Sequence, residues 1–311
     1  MFIGFDTSNY TTSVAAFDGS TVIQRKKLLE VRQGERGLRQ SEAVFQHTVN
    51  LAKLINSLAD ELGSDFKLDA IGVSNKPRNV DGSYMPCFLV GENTAEACAF
   101  GRCGVYKTSH QVGHILSALF SCKKLNLTEK PFIAFHLSGG TTEALLVTPD
   151  CDELIKAEII AQSLDLKAGQ AIDRAGVMLG LKFPCGAELD RLSKLSNKRF
   201  NIKPSFNGLD CSLSGIENKA HKMLESGECD ADIAAFVIQS ICVAVDEMLE
   251  RIIGVYGNMP IVFSGGVSSN SMLRNSIKNK YDACFAAPEF SCDNAAGTAI
   301  YAYLKYNGKQ I

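Results

Sequence analysis

Two histidines four residues apart, His110 and His114, offer the clearest chemistry in the chain. On a helix that spacing puts both imidazoles on one face, where they can share a divalent ion; the same pair can instead be satisfied by backbone or water. The intervening residues lack the glutamate of HExxH, so this is not the zinc-protease arrangement. His136 lies near the end of an apolar strand that runs into a glycine turn, and it can point at a ligand or hold a buried hydrogen bond. Asp293 precedes the last predicted helix, where a carboxylate serves as an oxygen ligand or as a plain N-cap. Together His110, His114, His136 and Asp293 form a mixed set suited to iron or zinc, with magnesium expected only alongside a nucleotide.

Two glycine loops suggest that nucleotide. Ser138-Gly139-Gly140-Thr141-Thr142 and Ser264-Gly265-Gly266-Val267 each follow an apolar strand. Glycine lets the backbone approach an anion while N–H and hydroxyl groups face it, although each loop alone could be an ordinary turn. Asp165 and Asp173, on either side of Gly169, fall on one predicted helix over 165–180, eight residues apart. They can orient ribose or magnesium, or form a solvated acidic face. Lys26, Lys27, Arg32, Arg36 and Arg39 can meet an RNA backbone or simply face water.

These residues need elements to hold them. Short strands are expected at 2–5, 12–17 and 21–24, a helix over 41–62, a strand over 70–74, a helix over 88–101 and a strand over 105–107. Ser109 can cap a helix from His110 to Cys122. The pattern restarts at Pro131: a strand to Leu137, the Gly/Ser/Thr turn, and a strand over 143–148. Helices follow at 165–180, 186–196, 214–226 and 231–253, then a strand at 261–263 and a last helix near 294–304. Two successive sheets that open alike favour a duplicated actin-like or sugar-kinase-like (ASKHA) α/β fold with a central cleft. One lobe is expected from 1–106 plus 291–311, the other from 107–290. A Rossmann fold is the alternative, but no GxGxxG joins a strand to a helix.

The 311 residues, 46% of them hydrophobic, suffice for two cores. With 32 Lys+Arg against 34 Asp+Glu, the net charge of −2 gives no global attraction to nucleic acid, so RNA would need a local basic face or a partner. The 11 cysteines form no CxxC, and no stretch has the length of a membrane span, so a reducing, cytoplasmic setting without a membrane is expected.

Taken in order, GFDTSN (4–9), SHQVGH (109–114), HLSGGTTE (136–143), GQAIDRAGVMLGLKFPCG (169–186), CSLSG (211–215), SGGVSSNSMLR (264–274) and CDNAAGTA (292–299) resemble the TsaD/YgjD family. The resemblance implies the actin-like fold and transfer of a threonylcarbamoyl group from its adenylate to N6 of the adenosine beside the anticodon of ANN-decoding tRNAs. It also implies a TsaB-like related subunit and a small ATPase as partners. His110, His114 and Asp293 fall on the family's metal ligands, and His136 where some members place a Tyr. Ser138, Gly139, Gly140 and Thr142 match the phosphate side of an ATP or adenylate site. Asp165, Gly169, Asp173 and Gly186 match its nucleoside side, with Gly265, Gly266 and Asn270 near the far loop.

Several positions depart from that pattern. Tyr10-Thr11 stand where the family has an acidic pair whose first member is associated with activity. Leu166, Gln170 and Thr141 replace a second Asp, a helix Glu and the His of SGGHT, and Lys76-Pro77-Arg78 replaces a GPG turn. The expected protein is a divergent paralogue, either a metal-assisted carbamoyl-type transferase or a catalytically altered nucleotide-binding scaffold. A peptidase role has neither a Ser/His/Asp grouping nor a metalloprotease base to support it.

Overall fold

The computed structural model describes residues 1–8, 10–31 and 38–308. Arg32 and Arg36 of the basic group, and Asn9, lie outside the described residues. The chain divides into two compact units: Met1–Lys130, Thr148–Ala157 and Cys292–Ile311 form the first, Pro131–Val147 and Glu158–Ser291 the second.

The first unit contains β1 (Phe2–Asp6), β2 (Thr11–Phe17), β3 (Val22–Leu28), α1 (Gln40–Leu62), β4 (Ala70–Lys76), α2 (Phe88–Ala99), β5 (Gly104–Ser109) and α3 (His110–Ser121). Its sheet runs β3-β2-β1-β4-β5; β1 pairs antiparallel with β2 and parallel with β4. Central β1 is buried along its whole length, and so are the first five residues of β4, as their near-continuous apolar runs require. Edge strand β3 ends exposed with Lys26 and Lys27, which is how a sheet edge is kept from pairing with other chains.

The second unit holds β6 (Phe132–Leu137), β7 (Thr142–Asp150), β8 (Leu154–Gln162), α4 (Ala168–Met178), α5 (Gly186–Ser193), β9 (Ser205–Asn207), β10 (Asp210–Ser212), α6 (Ser214–Glu225), α7 (Asp230–Tyr256), β11 (Ile261–Ser264), α8 (Ser271–Lys278), β12 (Ala283–Phe285) and α9 (Pro288–Ser291). The tips of β7 and β8 belong to the first unit. The sheet order β12-β11-β6-β7-β8, read backwards, repeats the first: three antiparallel strands, then two parallel ones. Buried α7, with Phe236, Ile238, Ile241, Val245 and Leu249, anchors the core against α5, α6 and α8.

After α9 the chain returns to the first unit as α10 (Ala296–Tyr306). It seats on the sheet over Gly4 and Gly72, which face each other in register. A Cβ at Gly4 would lie 2.3 Å from the Ala295 carbonyl oxygen, and one at Gly72 1.8 Å from that of Thr298. Only glycine leaves room for a helix this close.

The division differs from the expected lobe of 107–290. Helix α3 belongs to the first unit because it packs on α10, where Ser117 Oγ donates to Asn294 Oδ1 at 2.8 Å. Asp165 and Asp173 do not share a helix, since α4 begins only at Ala168. Strands β8, β9, β10 and β12 and helices α8 and α9 had no counterpart among the sequence expectations.

Candidate metal centre

Strand β5 ends at Ser109 and helix α3 begins at the next residue. Ser109 Oγ accepts from the Val112 amide at 3.2 Å, the cap its position suggested. This fixes the first turn of α3 and places His110 above His114 one turn later. Their Nε2 atoms lie 2.9 Å apart. Asp293, just before α10, brings Oδ1 to 3.2 Å from His114 Nε2 and 3.6 Å from His110 Nε2. Among the described residues these three form the group of donors able to hold an ion.

The fit can be tested on the triangle itself. Bonds of about 2.0–2.1 Å to a tetrahedral ion separate neighbouring donors by about 3.3 Å. The three sides of 2.9, 3.2 and 3.6 Å bracket that value. The residues therefore suit a transition ion held by two imidazoles and a carboxylate, with coordination positions left open.

Asp6 completes the arrangement. Buried at the end of β1, it brings Oδ2 to 2.7 Å from His110 Nδ1 and accepts at Oδ1 from the Ser8 amide at 2.8 Å. A carboxylate can only accept here, so Nδ1 carries the hydrogen, and in neutral His110 the Nε2 lone pair faces the ion position. Burial alone would lower the His110 pKa, but Asp6 and then Asp293 outweigh it and raise the value to about 10. Burial likewise pushes the Asp293 carboxyl upward, yet the two histidines hold it well below the usual carboxylate range. At neutral pH a proton thus holds His110 between two carboxylates, and a bound cation would take that proton's place. Thr11 Oγ1 donates to Asp293 Oδ2 at 3.3 Å, turning Oδ1 toward the histidines.

His136 lies in the second unit, its Nδ1 3.2 Å from Ser264 Oγ, and is not part of the three-residue group. Tyr10 sits at the turn between β1 and β2, 40% exposed, with its carbonyl accepting from the Leu29 amide. Asp6 lies within GFDTSN without a role of its own in the family pattern, and its sequence signal is an acid closing an apolar strand.

The two glycine loops converge within the second unit, at the carboxyl ends of parallel β6 and β11. A Cβ on Gly265 would meet the Leu137 carbonyl oxygen at 2.3 Å, and one on Gly169 would meet the Gly139 nitrogen at 2.6 Å. Gly139, Gly140, Gly186 and Gly266 instead face open space. Ser138 closes its own turn by accepting from Thr141 N at 3.1 Å and donating its amide to the Thr141 carbonyl.

Other expected ligand contacts hold structure together. Thr142 Oγ1 is buried and accepts from Ala168 N, starting α4. Asp165 accepts from the Leu213 and Ser214 amides at the start of α6, and Asp173 from Cys185 N. Asn270 caps α8 through Leu273 N and donates to Asp190 on α5.

A similarly arranged fold occurs in component A of (R)-2-hydroxyglutaryl-CoA dehydratase from Acidaminococcus fermentans, at TM-score 0.55 and 17% identity, covering 98% of both chains. A ROK family glucokinase from Streptomyces griseus aligns at TM-score 0.52 and 10% identity over 97% of this chain and 99% of that one. The fold is of the actin-like/sugar-kinase-like class. Within that class, the sequence pattern of the tRNA N6-adenosine threonylcarbamoyltransferase (TsaD) family matches residues 21–300, and the chain belongs to this family. A tRNA N6-adenosine threonylcarbamoyltransferase from Ligilactobacillus salivarius is 29% identical over 328 aligned positions, 98% of this chain and 92% of that protein. Among the described residues no helix is long and apolar enough to cross a membrane.

Proposed function

We propose that this protein is a metal-dependent transferase that moves a threonylcarbamoyl-type group from an adenylate to an adenosine amine of tRNA. The observation that carries the reading is the His110, His114 and Asp293 triangle, oriented by Asp6, in a chain of this family. An ion held there would supply Lewis-acid stabilisation to a phosphoryl or carbamoyl oxygen. The chain's own part is to hold that position. In the first unit Asp6 keeps the His110 lone pair outward and Thr11 turns Asp293; in the second unit, taken by itself, the open backbone at Gly139, Gly140 and Gly266 is suited to phosphate oxygens of ATP or an adenylate. The family resemblance implies a TsaB-like subunit and a small ATPase as partners, and with a net charge of −2 the chain itself offers tRNA no global attraction.

Combining the protein, iron or zinc, threonylcarbamoyl-adenylate, tRNA and these partners should yield a threonylcarbamoylated adenosine in digested tRNA. No modified nucleoside under those conditions would overturn the reading. A second reading, a scaffold that binds nucleotide without turnover, is favoured by Tyr10 and Thr11 standing where the resembled family carries its acidic pair. Intact nucleotide binding with no product would select it.

A further inference from the structure

On the side of α7 formed by Phe236, Ser240 and Ala244, at spacings of four, a cavity of about 380 Å³ opens between α6 and the β9-β10 hairpin. Its floor is apolar: Leu213 and Ile216 line it with Phe236 and Ala244, all largely buried. Its rim is cationic and hydroxylic. Ser205 and Ser212 are cross-strand partners on the hairpin, and among the described residues neither hydroxyl has a hydrogen-bond partner. Lys203 and Lys219 also line the cavity and pair with no carboxylate among the described residues; Lys219 Nζ stands 4.8 Å from the centroid of the Phe236 ring.

Three nearby carboxylates are engaged elsewhere. Asp165 accepts from Ser214, Glu217 pairs with Arg174, and Asp210 accepts from Gln162 N. Two lysines and two free hydroxyls therefore line an apolar pocket, and neither lysine is paired with a carboxylate among the described residues. Sites of this volume, with an apolar body and a few convergent polar groups, are the ordinary form of a small-molecule site. The hairpin adds a second reason: strands of three residues are marginal alone, so a ligand wedged between them and α7 would order the wall it rests on.

We propose that this cavity is a binding site for an organic anion, a carboxylate or phosphate monoester with an apolar body. The apolar part rests on Phe236, Ile216 and Ala244, and the anion is held by Lys203, Lys219 and the paired Ser205 and Ser212 hydroxyls. The site uses no residue of the metal centre, so it stands or falls independently of the transferase reading.

The test uses the whole protein with 4-phenylbutyrate and its uncharged analogue 4-phenyl-1-butanol as probes, titrated by ligand-observed NMR. The acid should bind at least about tenfold more tightly than the alcohol, the gain expected from one or two charge-assisted hydrogen bonds. Lys203→Ala combined with Lys219→Ala alters two exposed side chains; it should abolish that preference while leaving the melting temperature and alcohol binding unchanged. Hydrogen exchange over 205–212 should slow when the acid is added to the unaltered protein. Equal binding of acid and alcohol, acid binding unchanged in the double variant, or no acid binding at millimolar concentration would each overturn the proposal and leave a solvated groove.

Discussion

Asp6 shows how much a single buried carboxylate can decide. Its contact with Nδ1 determines which nitrogen of His110 remains available, a choice the imidazole alone does not make. In Asp6→Asn the side-chain amide can donate to Nδ1, moving the ring proton to Nε2. Divalent-ion affinity measured by calorimetry should then fall about 10–100-fold, while long-range nitrogen NMR reports the changed tautomer. His110→Ala with His114→Ala should abolish ion uptake, read by elemental analysis of protein purified without a metal column. His47 makes a prediction about stability instead. Fully buried on α1, its Nδ1 2.9 Å from Thr12 Oγ1, it has a pKa lowered by burial from 6.5 to about 4. The unfolded chain takes up this proton first, so stability falls as the pH drops from 6.5 toward 4. The loss attributable to this residue is about 3 kcal/mol, and His47→Gln should flatten that part of a denaturation series.

Helix α10 illustrates positioning by close approach. Beyond its seat on Gly4 and Gly72, a Cβ on Gly297 would fall 1.8 Å from the Gly113 carbonyl oxygen, next to His114. Gly297→Ala must push α10 away from α3, costing about 1–3 kcal/mol in packing and weakening ion binding as Asp293 retreats from the histidines. Gly254→Ala, on α7 with open space around it, should instead leave ion binding unchanged and stabilise by up to about 1 kcal/mol. Thermal melts and ion titrations of the two variants check the contrast. Much of this was legible beforehand: the opening strands, the Ser109 cap and the spacing of His110 and His114 all carry local signals. β9 and β10 did not, because three residues show no period. In β8, LIKAEIIAQ mixes apolar and charged residues without clean alternation. The commitments of Asp165, Asp173 and Asn270 to backbone amides escaped for another reason, since those partners are 12 to 49 residues distant or specified only by a cap.

At the scale of the molecule, two sheets of one design are threaded differently. The second is continuous but for the β7-β8 tip, whereas the first needs a segment that follows the entire second unit. A chain stopped after Ser291 would lack α10, uncovering β1, β4 and α3. Hydrogen exchange on that shortened chain should show lost protection in β1 and β4 with protection retained in α7 and β11. Equal protection in both units would mean that α10 is dispensable to the first core.

The same threading sets an order of events during translation. His110 and His114 leave the ribosome early, but Asp293 follows after the whole second unit has been made, an interval on the order of ten seconds. A nascent chain can offer an ion only the two imidazoles until then. An ion bound at this centre would therefore gain its carboxylate ligand only once the polypeptide is complete through Asp293, and chains released before that point would offer it two imidazoles alone.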